Sequence, residues 1–353
     1  SFQDFKWLSD KAANVFKKGG LGKGDVVMLI LKRRWQYWVC TLALQKLGAI
    51  SIPATAQLTK KDIVYRNNAA SVKMILSVTD PEIVTFVEQA MEESPTVTCK
   101  ALVGGCADGW LDFDRELADA CEVWERPQGM DAAGGDDTML MYFTSGTTGM
   151  PKIVVHDYFH PLGHIVTAHY WQGLGENGLH LTVSDSGWAK CGWGKIYGQW
   201  ICGVALFVYD MDKFVPDRLL KMMEKYRITS FCAPPTIYRF LLQEGLSRYD
   251  LSSVKKACTA GEPLNPEVFN QFRKATGLQI IEGFGQTEGT VLCANFEWLT
   301  PKPGSMGKPS PLYDLDIVDE NGCSCPVGTE GNIVVRNLDK GLPPGLFRGY
   351  FRD

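Results

Sequence analysis

The chain has 353 residues, of which 45% are hydrophobic and 22% charged, a composition typical of a globular protein with one extended domain or two compact ones. Its 36 basic and 40 acidic residues give a formal net charge of −4 and are spread along the sequence. This balance argues against nucleic acid or an anionic membrane surface as a partner, so we expect small-molecule partners.

The cysteines and the apolar segments bear on the cellular compartment. The eleven cysteines are scattered singly, mostly among apolar neighbours, which is typical of a reducing compartment. The one close pair, Cys323 and Cys325, has a spacing that fits neither a zinc site nor a thioredoxin-type redox site. No apolar run approaches the roughly 20 residues of a membrane span, and the first residues lack a signal-peptide pattern. We therefore expect a cytoplasmic protein without a membrane span.

Alternating short β-branched segments and longer amphipathic segments predict an α/β fold. The first predicted elements are a strand over 25–32, a helix over 35–47, a strand over 50–55, a helix over 59–71 capped by Thr59 and a strand over 72–78. Further strands are predicted at 139–143, 179–183, 205–209, 228–232, 254–259 and 278–281, with helices such as 216–226 and 266–276 between them. The pattern predicts two largely parallel sheets flanked by helices.

Composition also suggests how the chain is divided. A Gly/Asp-rich loop over 127–137 separates two α/β regions, and beyond Pro301 the sequence is rich in Pro/Gly turns with period-2 strands at 315–318 and 332–336. We expect an α/β subdomain over 1–136, a second one with the ligand sites over 137–300, and a small β-barrel-like subdomain over 301–353.

The most informative segment follows the predicted strand at 139–143 and ends in a lysine. It consists of Thr144, Ser145, Gly146, Thr147, Thr148, Gly149, Met150, Pro151 and Lys152. Glycines leave backbone N–H groups free to bind an anion, hydroxyls add donors, and the lysine adds charge, so the segment predicts a phosphate-binding loop. The spacing differs from that of a Walker A loop, and a plain flexible turn is the alternative.

Two further segments follow predicted strands. One contains Glu282, Gly283, Phe284, Gly285, Gln286, Thr287 and Glu288, and the other contains Ala260, Gly261, Glu262 and Pro263. Glycines permit close approach of a nucleotide, a threonine hydroxyl can bind phosphate, and a carboxylate can hold Mg²⁺, although Glu288 could equally be a solvated acid. Because ligands of parallel sheets bind beyond the carboxyl ends of strands, we expect the three loops to converge.

The remaining candidates are weaker. Trp188, Gly192 and Trp193, with 231–235 and Gly283 opposite, could wall an apolar acyl pocket, or the tryptophans could be core residues. The run G-x-G-x-x-G at 173–178 lies before a strand instead of after one, and is interpreted as a turn. His156, His160 and His164 are spaced four residues apart, but Pro161 is expected to interrupt a common helix face.

These motifs resemble the adenylate-forming enzymes, whose loop Thr-Ser-Gly-Thr-Thr-Gly-x-Pro-Lys closes over the pyrophosphate end of ATP. Residues 144–152 match it throughout, with Ile153 where the family usually has Gly; residues 281–288 resemble the element Tyr-Gly-Gln-Thr-Glu and residues 261–264 the element Gly-Glu-Pro-Leu. Segments 186–195 and 52–58 are similar to acetyl-CoA and medium-chain acyl-CoA synthetases.

The resemblance implies a two-step reaction with ATP, Mg²⁺ and CoA. A carboxylate attacks the α-phosphate to give acyl-AMP and pyrophosphate, and the CoA thiolate then displaces AMP. Residues 144–152, including the catalytic Lys152, would bind the β- and γ-phosphates, Thr287 the α-phosphate and the carboxylate, and Glu288 the Mg²⁺. Residues 260–263 and 282–286 would hold adenosine, and Gln57 would lie near CoA, unless it is only an exposed helix-entry residue.

The resemblance stops before elements that the family has farther along. The Thr-Gly-Asp element, the hinge and the small domain with its catalytic lysine are not in the sequence. We expect a large N-terminal domain that binds nucleotide weakly and catalyses poorly. A non-catalytic nucleotide- or acyl-binding module and an adenylating enzyme that loads a carrier protein are the alternatives. The acid and the oligomeric state stay open.

Overall fold

The computed structural model describes residues 1–144, 149–211 and 213–352. Contacts between Cα atoms divide the chain into two compact units. Unit 1 comprises Ser1–Phe159, Ser184–Gly192 and Phe347–Asp353, and unit 2 comprises His160–Val183 and Trp193–Leu346.

The helices and strands follow one another as the alternating pattern predicts. The helices are α1 (Phe2–Lys18), α2 (Gln36–Leu47), α3 (Lys60–Ala70), α4 (Pro81–Ala90), α5 (Phe113–Asp119), α6 (His160–Ile165), α7 (Ala189–Lys195), α8 (Tyr197–Ile201), α9 (Pro216–Lys225), α10 (Pro235–Glu244) and α11 (Pro266–Thr276). The strands are β1 (Val26–Ile30), β2 (Ile50–Pro53), β3 (Val72–Val78), β4 (Cys99–Val103), β5 (Leu111–Asp112), β6 (Thr138–Phe143), β7 (Ile153–Asp157), β8 (Leu179–Thr182), β9 (Ala205–Leu206), β10 (Ser230–Cys232), β11 (Lys256–Thr259), β12 (Ile280–Gln286), β13 (Gly289–Ala294), β14 (Lys308–Pro309), β15 (Leu315–Val318), β16 (Asn332–Val335) and β17 (Gly349–Tyr350).

Unit 1 is built on a largely parallel sheet. Its described strands form an eight-stranded sheet in the order β17-β7-β6-β2-β1-β3-β4-β5. β1 pairs in parallel with β2 and β3, and β2 pairs in parallel with β6, whereas β7 pairs antiparallel with both β6 and β17. All residues of β1 and β2 are buried, as expected for central strands covered on both faces.

Local sequence explains where the helices begin and end. Thr59 caps α3 in a capping box, because the Asp62 carboxylate accepts hydrogen bonds from the Thr59 amide and hydroxyl. In unit 2, α11 begins with Pro266 after the cap Asn265 and ends at Gly277, whose φ of 77° lies in the left-handed region. The predicted strand at 72–78 and helix at 266–276 have the predicted bounds.

Unit 2 contains a second mixed sheet. Its described strands form a seven-stranded sheet in the order β14-β13-β12-β11-β10-β8-β9, parallel from β9 to β12 and antiparallel from β12 to β14. Neighbouring residues of β10 point to opposite faces, so Phe231 joins a core that includes Leu181 and Tyr238, and Cys232 joins one that includes Trp171 and Trp193. Where a small β-barrel-like subdomain was expected, β15 and β16 form a two-stranded antiparallel sheet.

Several pairings differ from the expected three-part division. β6 and β7, assigned from the sequence to 137–300, pair within the first sheet, because β6 continues its parallel order beside β2. Of the strands after residue 301, β14 pairs with β13 and β17 with β7, and only β15 and β16 pair with each other. No helix of the described residues is long and apolar enough to cross a membrane.

Candidate functional site

The predicted phosphate loop connects two antiparallel strands of unit 1. The Thr144 amide donates to the Lys152 carbonyl at 3.0 Å, which closes the loop between β6 and β7. Gly149, Met150 and Lys152 are exposed, and the Lys152 ammonium lies 4.5 Å from the centroid of the Tyr350 ring. Ser145, Gly146, Thr147 and Thr148 lie outside the described residues. The arrangement presents a solvent-accessible cation beside the hydrogen bond that joins Thr144 to Lys152.

Three other predicted residues lie in unit 1. Gln57 is exposed, and its backbone amide donates to the Thr55 hydroxyl. Trp188 is 60% exposed, whereas Gly192 is buried in α7. Beside Trp188, Gly187 packs so closely on the backbone of Thr55 that a β-carbon would overlap it. Trp188 is therefore held on a tightly packed segment, but most of its side chain faces solvent.

In unit 2, residues 282–288 form a β-hairpin instead of the loop that we expected after a strand. β12 continues to Gln286 because it pairs antiparallel with β13, and its register shifts between Phe284 and Gln286. Thr287 and Glu288 alone form the two-residue turn. Both are half-buried. The two residues expected to bind phosphate and Mg²⁺ are thus adjacent at the tip of a hairpin.

The base of this hairpin contacts the second predicted adenosine segment. The Leu264 amide donates to Glu282 Oε1 at 3.2 Å, and the Thr236 hydroxyl donates to Glu262 Oε2 at 2.6 Å. Gly261 adopts a φ of 98°, a left-handed conformation that favours glycine. Ala260 is buried, whereas Gly261, Glu262 and Pro263 are exposed. Residues 260–264 and Glu282 are therefore brought together, as the sequence predicts.

Glu282 is the electrostatically unusual residue of this group. Its carboxyl is buried, and burial raises its pKa, an effect partly offset by the Leu264 amide. Within the part of the chain that the structure describes, Glu282 Oε2 is buried and has no hydrogen-bond partner. A buried acceptor of this kind fits a ligand that brings an N–H or O–H donor, such as an adenine amino group or a ribose hydroxyl.

Two tryptophans pack against the glycines of the same hairpin. A β-carbon on Gly283 would overlap the indole of Trp171, and a β-carbon on Gly285 would overlap the indole of Trp193. The two indoles meet edge to face, with ring centroids 6.3 Å apart. Trp171 also donates from Nε1 to the Ile281 carbonyl at 3.3 Å. The two indoles thus form an apolar wall beside β12, in space that is open because residues 283 and 285 are glycines.

This wall contains one tryptophan, Trp171, that no sequence motif indicated. Trp171 lies just before the G-x-G-x-x-G run, which is a turn in the structure. Of the range 231–235, which we expected to line the pocket, Cys232 lies on the same face as Trp171 and Trp193, whereas Phe231 lies on the other face of the sheet. The alternation of side chains along β10 is the signal that could have separated the two.

The histidine spacing has a different outcome from the one we expected. α6 begins at His160, so Pro161 lies in its first turn, where a missing N–H removes no helical hydrogen bond. His160 and His164 are consequently one turn apart, with their Nε2 atoms separated by 3.1 Å. His156 lies in β7. Among the described residues, no group of three or more His, Cys, Asp or Glu could hold a metal ion.

Comparison with solved structures supports the architecture. The fold superposes on an anthranilate CoA ligase, solved with anthranoyl-AMP, with a TM-score of 0.92 at 24% identity, covering 100% of this chain and 66% of that one. An acyl-CoA synthetase from Brucella canis gives a TM-score of 0.90, also at 24% identity, covering 100% and 64%. The fold is that of the large domain of these ligases.

The sequence places the chain in a family. The model of the AMP-binding enzymes matches residues 1–351, so the chain belongs to the AMP-binding enzyme family. Human acyl-coenzyme A synthetase ACSM4, mitochondrial, is 41% identical over 339 residues, covering 95% of this chain and 57% of that protein. Mouse acyl-coenzyme A synthetase ACSM3, mitochondrial, is 38% identical over 353 residues, covering 99% and 60%. The chain thus spans less than two thirds of the length of these relatives.

Proposed function

We propose that the protein activates an apolar carboxylic acid with ATP and transfers the acyl group to CoA. A carboxylate oxygen attacks the α-phosphorus to form acyl-AMP, and pyrophosphate leaves; the CoA sulfur then attacks the acyl carbon, and AMP leaves. The observation that carries the proposal is the β12–β13 hairpin. It combines Glu282 at its base, an apolar wall along its glycines, and the pair Thr287 and Glu288 at its tip.

Each group of residues has a role in the first step. Lys152 would neutralise the β- and γ-phosphates as pyrophosphate leaves, and Thr287 would bind the α-phosphate and orient the attacking carboxylate. Residues 260–263 and 282–286 would hold adenosine. When bound to Glu288, Mg²⁺ would supply charge neutralisation to the phosphates. Glu288 fits this role, since it is a carboxylate that is not fully buried.

More residues support the proposed site for the acid than the proposed contact with CoA. Trp171, Trp193, Gly283 and Gly285 favour an acid with an apolar body, because the wall that they form is apolar and both indoles are buried from water. For CoA, the exposed Gln57 amide is the one candidate from the sequence. The names of the curated relatives carry the word mitochondrial. The expected cytoplasmic location therefore stays a prediction.

The test is carboxylate-dependent exchange between ATP and pyrophosphate, scanning acetate to octanoate and benzoate. We expect exchange that is lost in Lys152→Ala and Glu288→Ala and retained in Glu297→Ala, whose carboxylate is exposed in the same unit as Glu288. CoA-dependent release of AMP then separates an acyl-CoA synthetase from an enzyme that loads a carrier protein. If the protein neither exchanges pyrophosphate nor binds Mg·ATP in calorimetry, the proposal fails.

A further inference from the structure

Helix α3 contacts both ends of the phosphate loop within unit 1. Tyr65 donates a hydrogen bond from its hydroxyl to the Pro151 carbonyl at 2.7 Å, directly before Lys152. Arg66 lies over the Phe143 ring, with Cζ 4.6 Å from the centroid, directly before Thr144. The Tyr65 ring also meets Phe143 edge to face, with centroids 6.0 Å apart. Two consecutive residues of one helix therefore contact Phe143, the last residue of β6, and Pro151, two residues before β7 begins.

Arg66 is placed where burial of its charged side chain costs free energy, which a structural role alone does not explain. Its guanidinium is partly buried, and burial lowers its pKa, with the Asp62 charge offsetting part of the effect. Within residues 1–144, 149–211 and 213–352, Arg66 Nε is buried and has no hydrogen-bond partner. Stacking on Phe143 compensates some of the desolvation. A desolvated cation at the start of the loop favours an anion bound in that loop.

The far end of α3 is also connected to Lys152. Arg352 donates to the Ala69 carbonyl at 3.4 Å and to the Ser71 hydroxyl at 3.1 Å, both at the C-terminal end of α3. Two residues earlier, Tyr350 pairs with Val154 and presents its ring to the Lys152 ammonium. α3 thus anchors the segment that contacts the catalytic lysine, in addition to the two strand ends.

We propose that Tyr65 and Arg66 are positioning residues: they fix Pro151 and Phe143, the neighbours of Lys152 and Thr144, and so set how tightly Lys152 and Thr144 bind the β- and γ-phosphates of ATP. The inference rests on the proposed function, since it requires that ATP is the ligand. Residues that are held in place before the ligand arrives cost less binding free energy to order. Tyr65 fixes the carbonyl before Lys152, and Arg66 fixes Phe143 and adds its charge.

The experiment compares the dissociation constants of Mg·ATP and AMP by calorimetry. AMP lacks the β- and γ-phosphates, so it reports on the adenosine site alone. We expect Tyr65→Phe and Arg66→Leu to raise the Kd of Mg·ATP about five- to tenfold, the size of one lost hydrogen bond, and to change the Kd of AMP less than about twofold. Arg66→Lys retains the charge, and we expect it to restore most of the lost affinity.

The matched control is Tyr158→Phe, which removes a tyrosine hydroxyl bonded to the Gln45 carbonyl at 3.1 Å in the same unit. It should leave both dissociation constants unchanged. If Tyr65→Phe raises the Kd of Mg·ATP and of AMP equally, Tyr65 has a merely structural role. If the Kd of Mg·ATP does not change, Tyr65 has no role in binding. Either result overturns the inference. Wild-type protein that fails to bind Mg·ATP would instead defeat the proposed function. Tyr65→Phe keeps the aromatic ring and is therefore expected to fold. The test can thus be made with this variant even if Arg66→Leu does not fold.

Discussion

The indole of Trp193 occupies the space that a β-carbon on Gly285 would need, and Trp171 has the same relationship to Gly283. Residues two apart on a strand point to the same face, so the two glycines open one continuous side of β12. Neither glycine has a positive φ, so glycine is required here by the close approach of the rings and not by backbone conformation.

We expect Gly285→Ala to lower the free energy of unfolding by about 1–3 kcal/mol, because the added methyl must displace the Trp193 ring. Denaturant unfolding followed by tryptophan fluorescence measures the change. Gly175→Ala is the control, since a β-carbon there meets no atom within 4 Å. A Gly285→Ala midpoint equal to that of the control would show that the ring and the strand can separate without cost.

Glu282 should make stability depend on pH in a specific direction. Burial raises the pKa of its carboxyl in the folded protein, so ionisation is less favourable there than in the unfolded chain. Its contribution is therefore most favourable below the ordinary value of 4.5 and decreases as the pH rises through the folded pKa. We expect Glu282→Gln to gain melting temperature relative to wild type at pH 7–8 and to lose that gain towards pH 4.

The control for this prediction is Glu297→Gln, an exposed acid of the same unit. Its melting temperature should follow wild type at every pH. A Glu282→Gln curve parallel to the wild-type curve would show that the carboxyl does not titrate differently on folding.

His180 should act in the opposite direction. It is fully buried between the hydroxyls of Ser230 and Thr182, and burial, with the nearby charge of Lys195, lowers its pKa to about 3. Neutral His180 contributes stability that is fully present above the ordinary value of 6.5 and is lost as the pH falls towards 3. We expect wild type to lose up to about 1.4 kcal/mol per pH unit from this residue below pH 6.5.

Thermal unfolding of His180→Gln between pH 7 and 4.5 tests the prediction. The variant starts less stable, since it loses buried hydrogen bonds, but its stability should fall less steeply with pH than that of wild type. His169→Gln, at an exposed position, serves as the control. Identical slopes for wild type and His180→Gln would contradict the assignment.

Metal removal tests the role of Glu288. In wild type, replacing Mg²⁺ by EDTA should raise the Kd of ATP, because the carboxylate and the phosphates then repel each other. Glu288→Gln lacks that charge, so its affinity for ATP should change less between the two conditions. Glu297→Gln should behave as wild type. Calorimetry measures all six dissociation constants, and an undiminished Mg²⁺ effect in Glu288→Gln would exclude this residue as the metal ligand.

Local patterns sufficed to predict many elements and the main motifs. α11 and β3 have the predicted bounds because caps, proline and glycine signal such ends within a few residues. The α/β class follows from the alternation of short β-branched segments with longer amphipathic segments along the sequence. Glu282 and residues 260–264 could be paired in advance, since each comes directly after a predicted strand of the parallel sheet.

Long-range pairing accounts for what could not be predicted. β12 extends to Gln286 because β13 supplies its partner, a pairing that outweighs the two glycines which suggested a loop. Trp171 meets Gly283 across more than 100 positions of sequence, and no local pattern reports such a contact. β6, followed by β7, joins the first sheet through the pairing of Leu140 with Ser51 of β2, which is again a long-range contact.

The pairing of β17 with β7 has a consequence for how the protein folds. The eight-stranded sheet is complete only when residues 349–350 have joined strands formed within residues 26–157, so its last ladder closes a loop of about 190 residues. Loop closure of that length is slow, and chains emerge from the ribosome from the N-terminus onwards. During synthesis β7 therefore presents an unpaired edge until residues 349–350 emerge, and an unpaired strand edge is a site at which chains associate with one another.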